Sequence, residues 1–159
     1  MDEVKIIEYD DGTKIWYKDD KAHREDGPAI VRANGDKIWC KDGKKTRDDG
    51  PAIERANGDK FWYKDDKPHR VGGPATVWAC GSTVWYTDGK IHRLGGPAVE
   101  LASGYKAWYI KGFILWHRKH SKSLLANDWE LPGRELKKSI SSIVRRCRKI
   151  LKSCFFNSK

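Results

Sequence analysis

The chain has 159 residues, a formal net charge of +10, and 38% hydrophobic against 34% charged residues. So polar a composition argues against a thick-cored globule and predicts thin elements with much of each facing water. No apolar run approaches the ~20 residues that span a bilayer, and Met1-Asp2-Glu3-Val4-Lys5 lacks the basic-then-apolar order of a secretory signal.

An internal period dominates the first two thirds of the chain. Trp16, Trp39, Trp62, Trp85 and Trp108 lie 23 residues apart, and Gly12, Gly35, Gly58, Gly81 and Gly104 keep the same step. So do Arg24, Arg47, Arg70 and Arg93, and Pro28, Pro51, Pro74 and Pro97 of four Gly-Pro-Ala triplets. The repeats run without insertion from about Val4 to Gly112.

In chain order, Ile6-Ile7-Glu8-Tyr9 reads as an opening strand. Residues 29–33 then read as a strand, Asn34-Gly35 as a turn and residues 37–41 as the returning strand. Asn-Gly signals a two-residue hairpin turn in which both positions take φ > 0. The same turn is expected at Asp11-Gly12, Asn57-Gly58, Cys80-Gly81 and Ser103-Gly104. A second break follows each Trp strand, at Asp19-Asp20, Asp42-Gly43, Asp65-Asp66, Asp88-Gly89 and Lys111-Gly112. From there the chain is expected to cross through a Lys-x-His-Arg loop to the next Gly-Pro-Ala. About ten strands result, extending roughly 45 Å. Alternation puts Ile15, Ile38, Phe61, Val84 and Ala107 on one face and the Trp column on the other, flanked by Lys14, Lys37 and Lys60 and by Lys18, Lys41 and Lys64. The expected packing sets each indole on the Ala and Pro of the next strand, with lysine stems covering it.

The run Trp39-Cys40-Lys41-Asp42-Gly43-Lys44, followed by Arg47 and Gly50, resembles a variant MORN repeat. His-Arg-x-x-Gly-Pro-Ala, at His23, His69 and His92, stands where that family usually has His-Gly-x-Gly, and looks like the repeats of large DNA virus and phage proteins. The resemblance covers about two thirds of the chain. It implies a single-layer, elongated antiparallel sheet and roles in protein scaffolding or membrane-associated assembly.

Candidate sites were weighed against structural roles. His23, His69 and His92 are equivalent, but neighbours in such a column are two strands, ~9.6 Å, apart. Ligands of one zinc must each lie ~2.0–2.1 Å from it, so no metal site is expected. His117 and His120 are helically spaced and lack cysteine or carboxylate partners. The histidines and arginines are instead expected to bond crossover-loop carbonyls. Asp19, Asp42, Asp65 and Asp88 read as turn residues. A repeated column offers the same residue again and again, whereas catalysis needs unlike groups converging in a pocket, so no catalytic residue and no cofactor are expected. The Lys-Trp-Lys face suits single-stranded nucleic acid. Against that, residues 1–133 hold 23 Lys and Arg and 21 Asp and Glu, close to neutral.

Residues 134–159 differ, with nine Lys and Arg against one Glu. Leu136, Ile140, Ile143, Cys147, Ile150 and Cys154 form one apolar helical stripe. Arg145, Arg146, Arg148, Lys149 and Lys152 mostly occupy its flanks and back. A short helical piece, residues 124–131, precedes it. Three roles fit, in this order: a cap on the array, a helix on an anionic membrane and an insert in a partner's groove. Cys40, Cys80, Cys147 and Cys154 lack CxxC spacing and read as reduced, intracellular cysteines.

The sequence therefore predicts a mainly β fold, an elongated single-layer meander of 23-residue hairpin repeats over 1–116, a connector over 117–133 and a C-terminal amphipathic helix over 134–159. The expected function is a non-enzymatic scaffold for protein partners, with a viral or phage structural role implied by the resemblance. A peripheral membrane tether ranks second and a nucleic-acid binder third.

Overall fold

The computed structural model of the protein describes residues 4–118, which fall in one compact unit. An elongated antiparallel sheet runs through them. Eleven of its strands follow one another in sequence order: Lys5–Glu8, Lys14–Lys18, Ile30–Val31, Lys37–Ile38, Ile53–Glu54, Lys60–Phe61, Thr76–Val77, Thr83–Val84, Val99–Glu100, Lys106–Ile110 and Phe113–Arg118. A twelfth, Lys21–Ala22, pairs with the end of Lys14–Lys18. Two-stranded ribbons repeat that last arrangement: Cys40–Lys41 with Lys44–Lys45, Tyr63–Lys64 with Lys67–Pro68, and Tyr86–Thr87 with Lys90–Ile91.

The Trp residue joins each strand of the sheet to its ribbon. Trp39 N–H donates to Ala52 O at 2.8 Å, while Thr46 N–H donates to Trp39 O at 3.2 Å. Trp16, Trp62 and Trp85 make the equivalent pair of bonds. One Trp strand thus faces two segments of the chain that returns beside it, a ribbon segment first and a sheet segment after it. Five residues, such as Arg47-Asp48-Asp49-Gly50-Pro51, loop out between the two. This corrects the expected Lys-x-His-Arg crossover. The Lys-x part is strand, and only Arg-x-x-Gly-Pro leaves the ladder. Adjacent ribbons are stitched together by bonds such as Gly43 N–H to Ala22 O and Gly89 N–H to Pro68 O, both 2.9 Å.

The turns also differ from expectation, in a consistent way. Val31 faces Lys37, and Arg32 N–H donates to Asp36 O at 2.9 Å, which leaves a three-residue loop over 33–35. Gly35 N–H donates back to Arg32 O, and only the glycine has positive φ, at 90°. This is a type I turn closed by a left-handed glycine, not a two-residue turn. Asn34 instead receives the Asp36 N–H on its side-chain oxygen at 3.0 Å. The tight two-residue turn lies at the second break. Lys41 faces Lys44, and Asp42 and Gly43 both have positive φ, 50° and 79°. Aspartate tolerates that region better than most side chains.

The core consists of small residues. Ala29, Ala52, Ala75 and Ala98 of the Gly-Pro-Ala triplets are all 0% exposed, joined by Ala107, Val84 and Cys40, and no large side chain among the described residues is fully buried. Burial pushes the Cys40 thiol up to about 11, so it stays protonated and unreactive near neutral pH. The fifth repeat lacks the five-residue excursion. Its returning strand Phe113–Arg118 pairs with Lys106–Ile110, with Trp108 opposite Trp116 and an irregularity after Trp108. His117 sits in that strand. The predicted short helix over 124–131 and the amphipathic helix over 134–159 lie outside the described residues.

Candidate functional site

The Trp, Arg, Gly and Pro columns meet in one unit, repeated four times. Arg24, Arg47, Arg70 and Arg93 lay their guanidinium groups over Trp16, Trp39, Trp62 and Trp85, with ring distances of 4.4, 4.0, 3.8 and 4.0 Å. Each arginine opens the excursion and folds back across it. Nη1 of Arg47, Arg70 and Arg93 donates to the carbonyl of Pro51, Pro74 and Pro97 at 3.4, 3.2 and 2.9 Å. Cation–π contact of this kind is worth about 0.5–2 kcal/mol, depending on desolvation. A guanidinium over the indole is a cover that the expected lysine stems did not include.

The glycine before each proline leaves room for the guanidinium that folds over it. A Cβ at Gly50 or Gly73 would sit 2.9 Å from the guanidinium carbon of Arg47 or Arg70, and one at Gly27 or Gly96 only 3.1 or 3.0 Å from that of Arg24 or Arg93. None of these glycines has positive φ. In the turn column, by contrast, Gly12, Gly35, Gly58, Gly81 and Gly104 all have positive φ, between 82° and 93°.

Carboxylates complete the unit unevenly. Arg24 Nε donates to Asp26 at 2.9 Å and Arg47 Nε to Asp49 at 2.8 Å, and these bonds hold both carboxyls below the usual range. Arg47 and Arg93 also reach Glu54 and Glu100, at 3.1 and 3.0 Å. Gly72 and Gly95 stand where the first two repeats have Asp26 and Asp49.

The histidines do not bond carbonyls as expected; they receive N–H groups from the next repeat's tight turn. Asp42, Asp88 and Lys111 N–H donate to Nδ1 of His23, His69 and His92 at 3.1, 3.2 and 3.2 Å. Lys111 brings no carboxylate, so the contact common to all three is backbone N–H to Nδ1. Asp42 and Asp88 also bring a carboxylate oxygen to Nδ1 of His23 and His69, at 3.0 and 2.9 Å, and His23 Nε2 lies 3.1 Å from Glu25. Among the described residues no three His, Cys, Asp or Glu side chains are grouped to hold a metal.

One column escaped the reading of the sequence. After Gly35, Gly58 and Gly81 the next residue turns its side-chain oxygen to the following repeat. Asp36 accepts from Ala56 N–H, Asp59 from Ala79 N–H and Ser82 from Ala102 N–H, each at 2.9 Å. All three residues are buried. The Ala56 and Ala79 N–H groups hold the Asp36 and Asp59 carboxyls below their ordinary value. The signal was present in the sequence: a short oxygen acceptor follows Gly12, Gly35, Gly58 and Gly81, and Tyr105 breaks the pattern after Gly104.

The stripe residues Leu136, Ile140, Ile143, Cys147, Ile150 and Cys154, and their basic neighbours, lie outside the described residues. A scan against protein-family models found no match, and a search of curated proteins found none either.

Proposed function

We propose that the protein is a non-enzymatic scaffold whose repeat sheet is a platform for protein partners, in the manner of a variant MORN-repeat array, and a viral or phage structural component. The observation supporting this is how the repeated polar side chains are used. Arginine, aspartate and histidine of the columns are engaged within and between repeats, in contacts that hold the sheet together. The loop residues Val71 and Leu94, which replace Glu25 and Asp48 of the first two repeats, are exposed, and variable exposed loops are where recognition usually resides. The guanidinium over each of the first four indoles also occupies the ring face a nucleobase would stack on. That ranks nucleic-acid binding below a protein platform.

A peripheral membrane tether is the second reading, supported by the nine Lys and Arg against one Glu over 134–159. Flotation with anionic vesicles separates the two. A scaffold leaves the full chain mostly unbound in ~0.5 M salt, where surface charge is screened. A tether keeps it bound through its apolar stripe and loses binding when residues 134–159 are deleted. Binding to single-stranded DNA that falls steeply with salt supports the third reading instead.

A further inference from the structure

The column that follows the arginine changes character halfway along the array. It reads Glu25, Asp48, Val71, Leu94, and the next column reads Asp26, Asp49, Gly72, Gly95. In the first two repeats the Nε edge of the guanidinium holds its own chain's carboxylate, Asp26 on Arg24 and Asp49 on Arg47. In the next two, Gly72 and Gly95 bring no side chain to that edge. Both glycines have positive φ, 74° and 80°, where Asp26 and Asp49 do not, so the loop backbone differs as well, and a Cβ placed on either would meet nothing within 4 Å. Nothing else replaces the lost acid at Arg70, which has no carboxylate partner among the described residues, while Arg93 spends Nη1 on Pro97 O and Glu100. Val71 and Leu94 beside them are 87% and 64% exposed.

We propose that Arg70 and Arg93 form a two-point receptor for the carboxylate side chains of a protein partner, with Val71 and Leu94 as the apolar contacts beside them. The first two repeats show what the guanidinium edge accepts, because the same edge is filled there from within. Both arginines are held in place before binding by Trp62 and Trp85 and by the carbonyls of Pro74 and Pro97, so little ordering cost remains. Equivalent residues of adjacent repeats are two strands, roughly 10 Å, apart. That matches glutamates at i and i+7 of a helix, about 10.5 Å apart, with leucines at i+3 and i+4 between them. The occupant is therefore an acidic amphipathic segment of another protein. The inference rests on the protein-platform reading and specifies where the platform binds.

The test uses the full chain, labelled for detection of arginine Nε–H resonances by NMR. The probe is a synthetic helical peptide with Glu at i and i+7 and Leu at i+3 and i+4, alongside its Gln counterpart. The expected result is selective movement of the Arg70 and Arg93 signals, with Arg24 and Arg47 unmoved, and binding about 10-fold or more tighter than that of the Gln peptide. A loop graft, Val71→Asp with Gly72→Asp and Leu94→Asp with Gly95→Asp, gives both loops the sequence of the second repeat. Because Gly72 and Gly95 have φ of 74° and 80° where Asp49 has no positive φ, the grafted loops must take the second repeat's backbone. The graft should abolish binding, and Val71→Asp with Leu94→Asp alone, which keeps both glycines, should weaken it. Absence of a shift at Arg70 and Arg93, or equal movement of all four arginines, overturns the proposal. So does a single-stranded oligonucleotide that shifts the same two signals more than the Glu peptide. Native partners captured equally well by wild type and graft overturn this site while leaving the platform reading intact.

Discussion

A guanidinium on each of four indoles sets what single residues contribute. Trp62 has repeats on both sides, whereas Trp16 lies one strand from the edge strand Lys5–Glu8. Trp62→Ala should therefore cost more than Trp16→Ala in thermal or denaturant unfolding. The cost at Trp62 is expected near 3 kcal/mol, the low end for aromatic truncation, because the ring is only half-buried. Equal, negligible losses would mean that the rings are not packed. Acid sensitivity follows from Asp36 and Asp59. Their pKa values are lowered in the folded state, so the stability they contribute is complete above the unfolded carboxylate value of ~3.9. It is lost as pH falls through the folded value. Asp59→Asn keeps an oxygen acceptor for Ala79 N–H and removes the titration. Its melting temperature should fall less between pH 7 and pH 3 than that of the wild type, and an equal fall would remove Asp59 from the account. The column identities were legible in the sequence, but their contacts were not. Arg70 lies eight residues after Trp62, and only the looping-out of residues 70–74 brings it back over the ring.

Among elements, the three-residue turn and the five-residue excursion of each repeat separate two reasons for glycine. At Gly58 the reason is φ, +93°, since an added Cβ would meet only Ala79 Cβ at an ordinary 3.6 Å. At Gly73 it is space, since an added Cβ would meet the Arg70 guanidinium at 2.9 Å. Gly58→Val should cost about 1–3 kcal/mol of backbone strain, and Gly58→Asn much less, because asparagine tolerates the left-handed region. Asparagine at Gly73 should be as damaging as alanine or worse. A chemical-denaturation series on the four variants checks the order, and a tolerated Gly73→Asn would show that the guanidinium moves aside without cost. Lys60→Thr should be mild, since Thr83 already fills that column. Gly and Asp marked the turns correctly in the sequence. The turn type was misread because Asn-Gly also closes the three-residue loop, where the asparagine serves as an acceptor for Asp59 N–H, at 3.0 Å, and not as a left-handed residue. The ribbons were missed for a related reason. Two-residue strands such as Lys44–Lys45 carry no alternation long enough to register as a strand.

For the whole molecule, the repeats bond mainly to their neighbours, so stability should accumulate repeat by repeat. The small core of Ala29, Ala52, Ala75 and Ala98 leaves no large apolar reserve to compensate for a lost interface. If residues 134–159 cap the array, deleting them lowers solubility and the unfolding midpoint together, and Ile143→Glu destabilises the fold by burying a carboxylate. A soluble, monodisperse chain truncated after Gly133 would discard the cap. The period, the strands of the main sheet and their antiparallel order were readable from the sequence because side-chain chemistry recurs at fixed spacing. The open edges of Arg70 and Arg93 were not, because they show only when the four loops are compared in space. The central claim, that the columns lock the sheet while the surface meets protein partners, is tested most directly by affinity capture of the full chain from its native source with crosslinking and mass spectrometry. The account predicts one or a few stoichiometric protein partners crosslinked to residues 4–118, with capture unchanged by nuclease and by mild detergent. Capture that disappears with nuclease or with detergent, or crosslinks confined to residues 134–159, would contradict it.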